Sequence, residues 1–362
     1  MREIGSEFWS ECTPVNEQEN TMRPEVIYGN RSFKVKETLS GRTALEYIVE
    51  ILVDQGKMIA YLPSYCCHTM IEPFLSHGMV VKFYDISFSK EGLKRIIDER
   101  EEYDVIMLMD YFGHVDNETL QIAQNEKQKG KSVIYDSTHG MYSDVDYSPY
   151  DYIYGSYRKW VNINCGFFAW KEELNFDAIN QDHDNGQYAI LRNKLFDLKA
   201  AYMRGESVSK DEFLPLINEA ESLLEKVYHH KGPDEQSKEV LRTSDADYIK
   251  NRRRLNAQTL IDAINDVNDC RVRCINSSLS DSDVPLFVPV LIMPTHRDAL
   301  RRYLISKEIY CPVHWPHSEL HKFMPGSEEL FNSELSLICD QRYDKNDMMR
   351  IVECIQEYLN NN

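Results

Sequence analysis

Lys159 is the residue of this chain with the most to offer chemically. It stands three residues after Ser156, just beyond a short apolar run at 152–156. A lysine amine in that setting can condense with a carbonyl group and afterwards shuttle a proton. Asp136 ends a second run (132–136), and Ser137, Thr138 and His139 follow it directly. A third run, 105–112, ends in Tyr111 and Phe112, with Gly113 behind them. Further upstream, Ser40-Gly41-Arg42-Thr43-Ala44-Leu45 joins a helix-capping serine, a flexible glycine and a cation. That combination at a helix start is suited to binding an anion.

These groups act together only if the chain brings them to one place. Apolar runs at 58–63, 79–86, 105–112, 132–136, 152–156 and 165–170 read as strands. Leu45, Ile48, Val49 and Leu52 recur at helical spacing over 43–54, a second helix is expected near 117–128, and another between 63 and 79. Strands alternating with amphipathic helices imply a mostly parallel sheet covered on both faces. In such sheets ligands bind beyond the carboxyl ends of the strands. An acid, a histidine and a lysine would therefore share one rim. The reading beyond the sheet is a helical stretch from about 177 to 230 and a long helix over 246–266. It continues with a strand at 284–293, a helix at 295–308, the segment IYCPVHWP (309–316) and a terminal helix near 344–360. The expected division is an N-terminal arm (1–30), a large domain (31–245) and a smaller C-terminal α/β domain (246–362).

The 362 residues carry 59 acids against 41 Lys and Arg, a net charge of -18. Such a surface repels phosphate backbones, so nucleic acid is not expected as a partner. No apolar run is long enough to span a bilayer, and the opening MREIGSEFWSE has no apolar signal core. A soluble, cytoplasmic protein is expected. Its nine cysteines include no C-x-x-C pair and read as reduced and mostly buried. His229-His230 reads as a solvated helix end, and no metal is expected. The dinucleotide fingerprint, the P-loop and H-E-x-x-H are absent.

An anion cradle, a lysine, an acid and a histidine are together the parts that pyridoxal 5'-phosphate (PLP) requires. The order Ser-Gly-Arg-Thr-Ala-Leu, then Asp-x-x-His, then Ser-x-x-Lys resembles fold-type I PLP enzymes. The likeness is greatest to the DegT/DnrJ/EryC1/StrS aminotransferases, over residues 35–170 and more loosely 245–316. The resemblance implies a three-layer α/β fold, a homodimer, and an amino-acid donor with a keto or aldehyde acceptor, a sugar among the options. It implies Lys159 as the Schiff-base lysine, Asp136 as partner of the pyridine nitrogen and His139 near the phenolic oxygen. Gly41, Arg42 and Ser156 would hold the phosphate, with Thr43 a further ligand. Tyr111 and His68 are the remaining cofactor-binding candidates. His68 follows Cys67, where the family often has an aromatic residue stacked on the ring.

Each of these residues has a plainer reading when taken alone. Lys159 reads as a loop cation, Asp136 as a turn residue, His139 as a structural histidine, and the serine-glycine-arginine run as a capped helix start. Order and placement argue for the set. Two other readings stay open: a different PLP reaction on this scaffold, such as a lyase or desulfurase step, and a catalytically silent ligand-binding relative. Of Arg252, Arg253 and Arg254, one is a candidate for a substrate carboxylate. His314 and Trp315 are candidates to line the site.

Overall fold

The computed structural model describes residues 2–16, 23–28, 33–90, 92–171 and 186–362. After a short strand β1 (Ile4–Gly5) and one helical turn α1 (Pro24–Ile27), the chain builds an eight-stranded sheet. Its strands are β2 (Phe33–Thr38), β3 (Ile59–Pro63), β4 (Val80–Ser89), β5 (Gly92–Ile96), β6 (Val105–Met109), β7 (Ser132–Asp136), β8 (Tyr152–Ser156) and β9 (Gly166–Lys171). The order across the sheet is β2-β9-β8-β7-β6-β3-β4-β5. The five middle strands, β8 to β4, run parallel, and the flanking pairs are antiparallel. The middle strands β6, β7 and β8 are buried along their whole length, as the unbroken apolar runs require of strands covered on both faces.

Helices α2 (Gly41–Asp54), α3 (Glu72–Ser76) and α4 (Asn117–Gln128) pack on this sheet. Helix α2 is capped by Ser40, whose hydroxyl accepts from the Thr43 amide. Gly166 at the start of β9 sets where that cap lies. A Cβ there would fall 2.3 Å from the Ser40 carbonyl carbon, so only glycine lets β9 and the start of α2 approach this closely.

The chain then forms α5 (Gly186–Met203), α6 (Lys210–Val227) and α7 (Glu235–Thr243). Residues 172–185, where the helical stretch was expected to begin, lie outside the described residues. Helix α8 (Ala246–Asn265) joins two cores: Ala246 and Ile249 pack with the large sheet, and Ala257, Leu260, Ile261 and Ile264 with the smaller unit. That unit has a three-stranded sheet of β10 (Val272–Cys274), β11 (Val288–Ile292) and β13 (Glu334–Leu337), with α9 (Pro294–Ser306), α10 (Pro325–Ser333) and α11 (Lys345–Asn361).

Several expectations need correction. The run 105–112 is a strand only to Met109 and then turns through a 3-10 segment at 111–113, with Phe112 at φ 60. The N-terminal arm, over residues 2–16, packs on this chain's own smaller unit. Strand β1 pairs in parallel with β12 (Ile309–Tyr310), Ile4 is buried in the smaller core, and the Arg342 guanidinium lies over the Phe8 and Trp9 rings. Strands β2, β5, β10 and β13 were not anticipated. All four lie at sheet edges, and β2 carries lysines that broke the apolar pattern.

Candidate active site

The register of the parallel strands creates a row of side chains. Met109 on β6 stands beside Asp136 on β7, and Asp136 beside Tyr154 on β8. All three line a cleft of about 360 Å³ at the carboxyl ends of the strands. The same cleft is lined by Gly41 and Arg42 from α2, by Cys67 and His68 from the loop after β3, and by His139, Ser156 and Lys159. The segment 312–316 closes it from the smaller unit.

Asp136 is buried, and its two oxygens have separate partners. Oδ1 accepts from the Thr138 amide at 2.8 Å and Oδ2 from the Tyr154 hydroxyl at 2.7 Å. Burial pushes its carboxyl above the usual range, and these hydrogen bonds only partly offset that. An opposing cation in the cleft would therefore gain from this carboxylate.

His139 is buried against Trp315, with ring centroids 5.4 Å apart and planes 24° from parallel. Its Nδ1 accepts from the Phe112 amide at 3.1 Å, an amide aimed there by the left-handed turn at that residue. Burial first, and the Lys159 charge second, bring the imidazole down to about 3, so it is neutral. With Nδ1 an acceptor, the proton of the neutral ring is on Nε2, which becomes a donor.

Lys159 is reachable from the cleft yet surrounded by protein. That environment, and then the neighbouring Arg158, lower its ammonium from the ordinary value. Arg158 is held by both oxygens of Glu221, at 2.7 and 3.3 Å. Burial would raise Glu221, but Arg158 and Lys159 outweigh it and hold the carboxyl at about 2.

Two buried polar atoms at the α2 end of the cleft have no hydrogen-bond partner among the described residues: Ser156 Oγ and Arg42 Nη1. The nearest carboxylate to Arg42 is Glu72, 3.6 Å away, and its guanidinium lies 5.0 Å from the Tyr228 ring centroid. Gly41 has no room for a side chain to spare, since a Cβ would sit 3.1 Å from Ser156 Cβ. Unsatisfied buried donors converging beside a helix N-terminus make an anion site.

Cys67 also faces the cleft. Burial alone would raise its thiol, but His68, with Nδ1 4.0 Å away, and the Thr69 hydroxyl at 3.1 Å bring it down to about 7. The contact with Cys67 raises His68 in turn.

Two of the sequence candidates are placed elsewhere. The Thr43 hydroxyl donates to the Tyr228 carbonyl at 2.8 Å and is buried in the helix cap, away from the cleft. The Tyr111 hydroxyl donates to the Tyr65 carbonyl at 2.6 Å, and its ring stacks on Tyr65. Neither is among the residues that line the cleft. Sequence reasoning missed Tyr154, Thr138 and Glu221. The strand alternation that puts Tyr154 beside Asp136 was legible, but its register was not.

A second cavity, also of about 360 Å³, meets the first at Arg158, Lys159 and Glu221. It is lined by Arg158, Arg192, Arg253, Arg301 and Arg342, against the acids Glu7, Glu221 and Asp340. Its positive excess contrasts with the chain's net charge of -18. Arg253 is buried and bonds Gln341 and two backbone carbonyls, with no carboxylate partner among the described residues.

No family model matches the sequence, and no curated protein matches it. Solved structures do. Helicobacter pylori PseC, an aminotransferase involved in the biosynthesis of pseudoaminic acid, superposes with a TM-score of 0.62 at 14% identity, covering 97% of this chain and 99% of that one. The aminotransferase TlmJ from Streptoalloteichus hindustanus gives 0.60 at 16% identity, covering 90% and 85%. NtdA from Bacillus subtilis, solved with bound cofactor PMP, gives 0.59 at 14% identity, covering 89% and 73%. The chain thus has the fold of the PLP-dependent aminotransferases, a large mostly parallel sheet with a smaller α/β unit. A DegT DnrJ EryC1 StrS aminotransferase from Brucella abortus shares that fold, with a TM-score of 0.58 at 15% identity over 93% of this chain and 90% of that one.

Proposed function

We propose that this protein is a PLP-dependent aminotransferase that moves an amino group from an amino-acid donor to a keto or aldehyde acceptor, sugars included. The observation that carries the reading is the pair of unsatisfied buried atoms, Ser156 Oγ and Arg42 Nη1, in the same cleft as Asp136 and Lys159. These residues suit the cofactor's separate parts. Gly41, Arg42 and Ser156 would hold the phosphate. Asp136 would pair with the ring nitrogen, whose positive charge relieves a carboxylate that burial otherwise penalises. His139 would donate its Nε2 proton to the phenolic oxygen.

PLP supplies, when bound, a carbonyl for amine capture and a protonated ring able to take up the electron pair released at the substrate carbon. The chain supplies the rest. Lys159, with its ammonium lowered by burial and by Arg158, is an amine that can act as nucleophile and then carry the α-proton. Tyr154 and Thr138 fix Asp136 in position. Segment 312–316 and Trp315 exclude water from one side. The arginine-lined second cavity suits an anionic group on the donor or acceptor, with Arg253 and Arg301 the arginines in it that have no carboxylate partner among the described residues.

Borohydride reduction of the PLP-loaded protein should fix the cofactor to the peptide containing Lys159, and an amino-acid donor should shift the cofactor absorbance. A label on another lysine would overturn the assignment. A cofactor that binds but responds to no amino donor would favour the silent relative.

Among the described residues no helix is long and apolar enough to cross a membrane. All nine cysteines are free thiols, which supports a reducing compartment such as the cytoplasm. We take the enzyme to act as a homodimer, as the family resemblance implies. Light scattering at low concentration, with and without PLP, tests this, and a stable, active monomer would refute it.

A further inference from the structure

We propose that Glu46, Glu50 and His77 form a site for a divalent transition-metal ion, Zn²⁺ foremost, further along α2 from the end that lines the cleft. The site is independent of the PLP reading. Glu46 and Glu50 are four residues apart on α2 and share one face. His77 follows α3 directly, and one ligating atom from each of the three residues lies within 4.8 Å of the others. His229 and His230, just beyond α6, contact the two carboxylates from the opposite side: His229 Nδ1 meets Glu46 Oε1, and His230 Nε2 meets Glu50 Oε1 at 2.7 Å.

Two details argue for an ion rather than a simple cluster of ion pairs. His77 Nδ1 lies 2.9 Å from the Pro73 carbonyl oxygen. A carbonyl can only accept, so Nδ1 carries a proton and Nε2 is the ring atom turned toward Glu50. That Nε2 faces the Glu50 Oε1 acceptor at 3.5 Å. Adjacent ligands of a tetrahedral zinc, each about 2.0–2.2 Å from the ion, stand roughly 3.3 Å apart. A donated Nδ1 proton is also how metal-bound histidines are held in orientation.

The second detail is Glu46. Its side chain is buried, and although Oε1 contacts His229, Oε2 has neither solvent nor a hydrogen-bond partner among the described residues. A buried carboxylate oxygen left unsatisfied is costly, and a bound cation removes the cost. On the other side, the Glu50 and His77 side chains are 29% and 25% exposed, which leaves an entry path and a coordination position for water. Imidazole with carboxylate oxygen selects Zn²⁺ and its neighbours over Mg²⁺ or Ca²⁺. Reading His229-His230 as a solvated helix end overlooked the two carboxylates that the fold sets opposite them.

The ion would be structural. It would tie α2 to α3 at a point beyond the cradle formed by Gly41 and Arg42. The segment bearing His229 is already joined to α2 through the Tyr228 carbonyl and the Thr43 hydroxyl.

The test uses the full chain, stripped with chelator and titrated calorimetrically with Zn²⁺ alone, with bound zinc counted by elemental analysis. One zinc per chain is expected, with a rise in melting temperature. His77→Ala and Glu50→Gln should each weaken binding more than about 100-fold, beyond the usual effect of losing a supporting group, and abolish the rise. Cys67→Ser should bind zinc as the parent does. Glu50 is partly exposed, so Glu50→Gln carries the test should His77→Ala fold poorly. The proposal fails if no stoichiometric zinc binds, if both variants bind it unchanged, or if Cys67→Ser removes it.

Discussion

Acid should destabilise this protein through His139 by an amount that can be isolated. The folded imidazole is held down to about 3, against an ordinary value of 6.5. In the unfolded chain it takes up a proton below its ordinary value, while in the folded protein it stays neutral until far lower pH. The stability tied to the neutral form is therefore fully present above 6.5 and is lost as pH falls toward 3. Each unit below the unfolded value costs about 1.4 kcal/mol, so at about pH 5 the loss is about 2 kcal/mol. His139 is 5% exposed, so solvent screens little of this. Urea unfolding at about pH 7.5 and about pH 5, for the parent and for His139→Gln, measures the effect as a double difference. The parent should lose about 2 kcal/mol more than the variant. Loss of the stack on Trp315 affects the variant at both pH values and cancels. Equal losses in the two proteins would mean that His139 is charged or solvated in the folded state. The donor role assigned to its Nε2 would then fall with it.

Asp136→Asn keeps the shape but removes the charge opposite the ring nitrogen. Turnover should fall by several orders of magnitude while PLP still binds, and near-normal turnover would refute the pairing. Gly41→Ala places a Cβ 3.1 Å from Ser156 Cβ. It should weaken PLP binding by about tenfold, about 1.4 kcal/mol, as read from cofactor fluorescence. Cys67, at about 7, should react with iodoacetamide with a half-maximal rate near that pH and be shielded by saturating PLP; a midpoint near the usual value for a thiol would contradict the contacts with His68 and Thr69. Arg301 donates through Nε to the Cys311 carbonyl at 3.2 Å and has no carboxylate partner among the described residues. Arg301→Gln should raise the substrate KM about tenfold without lowering the melting temperature, and an unchanged KM would remove Arg301 from the substrate site.

Local sequence determined the elements with the strongest patterns. Apolar runs bounded by polar residues marked β3, β6, β7 and β8. Period-3.6 spacing marked α2, and Ser40 marked its start, because capping and periodicity are properties of neighbours along the chain. The rim also followed from sequence, since parallel strands place their carboxyl ends together, and with them Asp136, Ser156 and Lys159. What lay beyond reach depended on contacts between distant segments. The register that sets Tyr154 beside Asp136 is decided by pairing between β7 and β8. The neutral state and tautomer of His139 depend on the Phe112 amide and on Trp315, which arrive from 27 residues earlier in the chain and from the smaller unit. Lysines at 34 and 36 hid β2, an edge strand with one exposed side. Where the N-terminal arm packs was out of reach because the strand that pairs with β1, β12, lies some 300 residues away. Thr43 and Tyr111 showed the limit from the other direction. Residue type and spacing admitted both to the site, but the direction of a side chain at a cap or a tight turn is decided only when the surrounding structure takes up its hydrogen bonds.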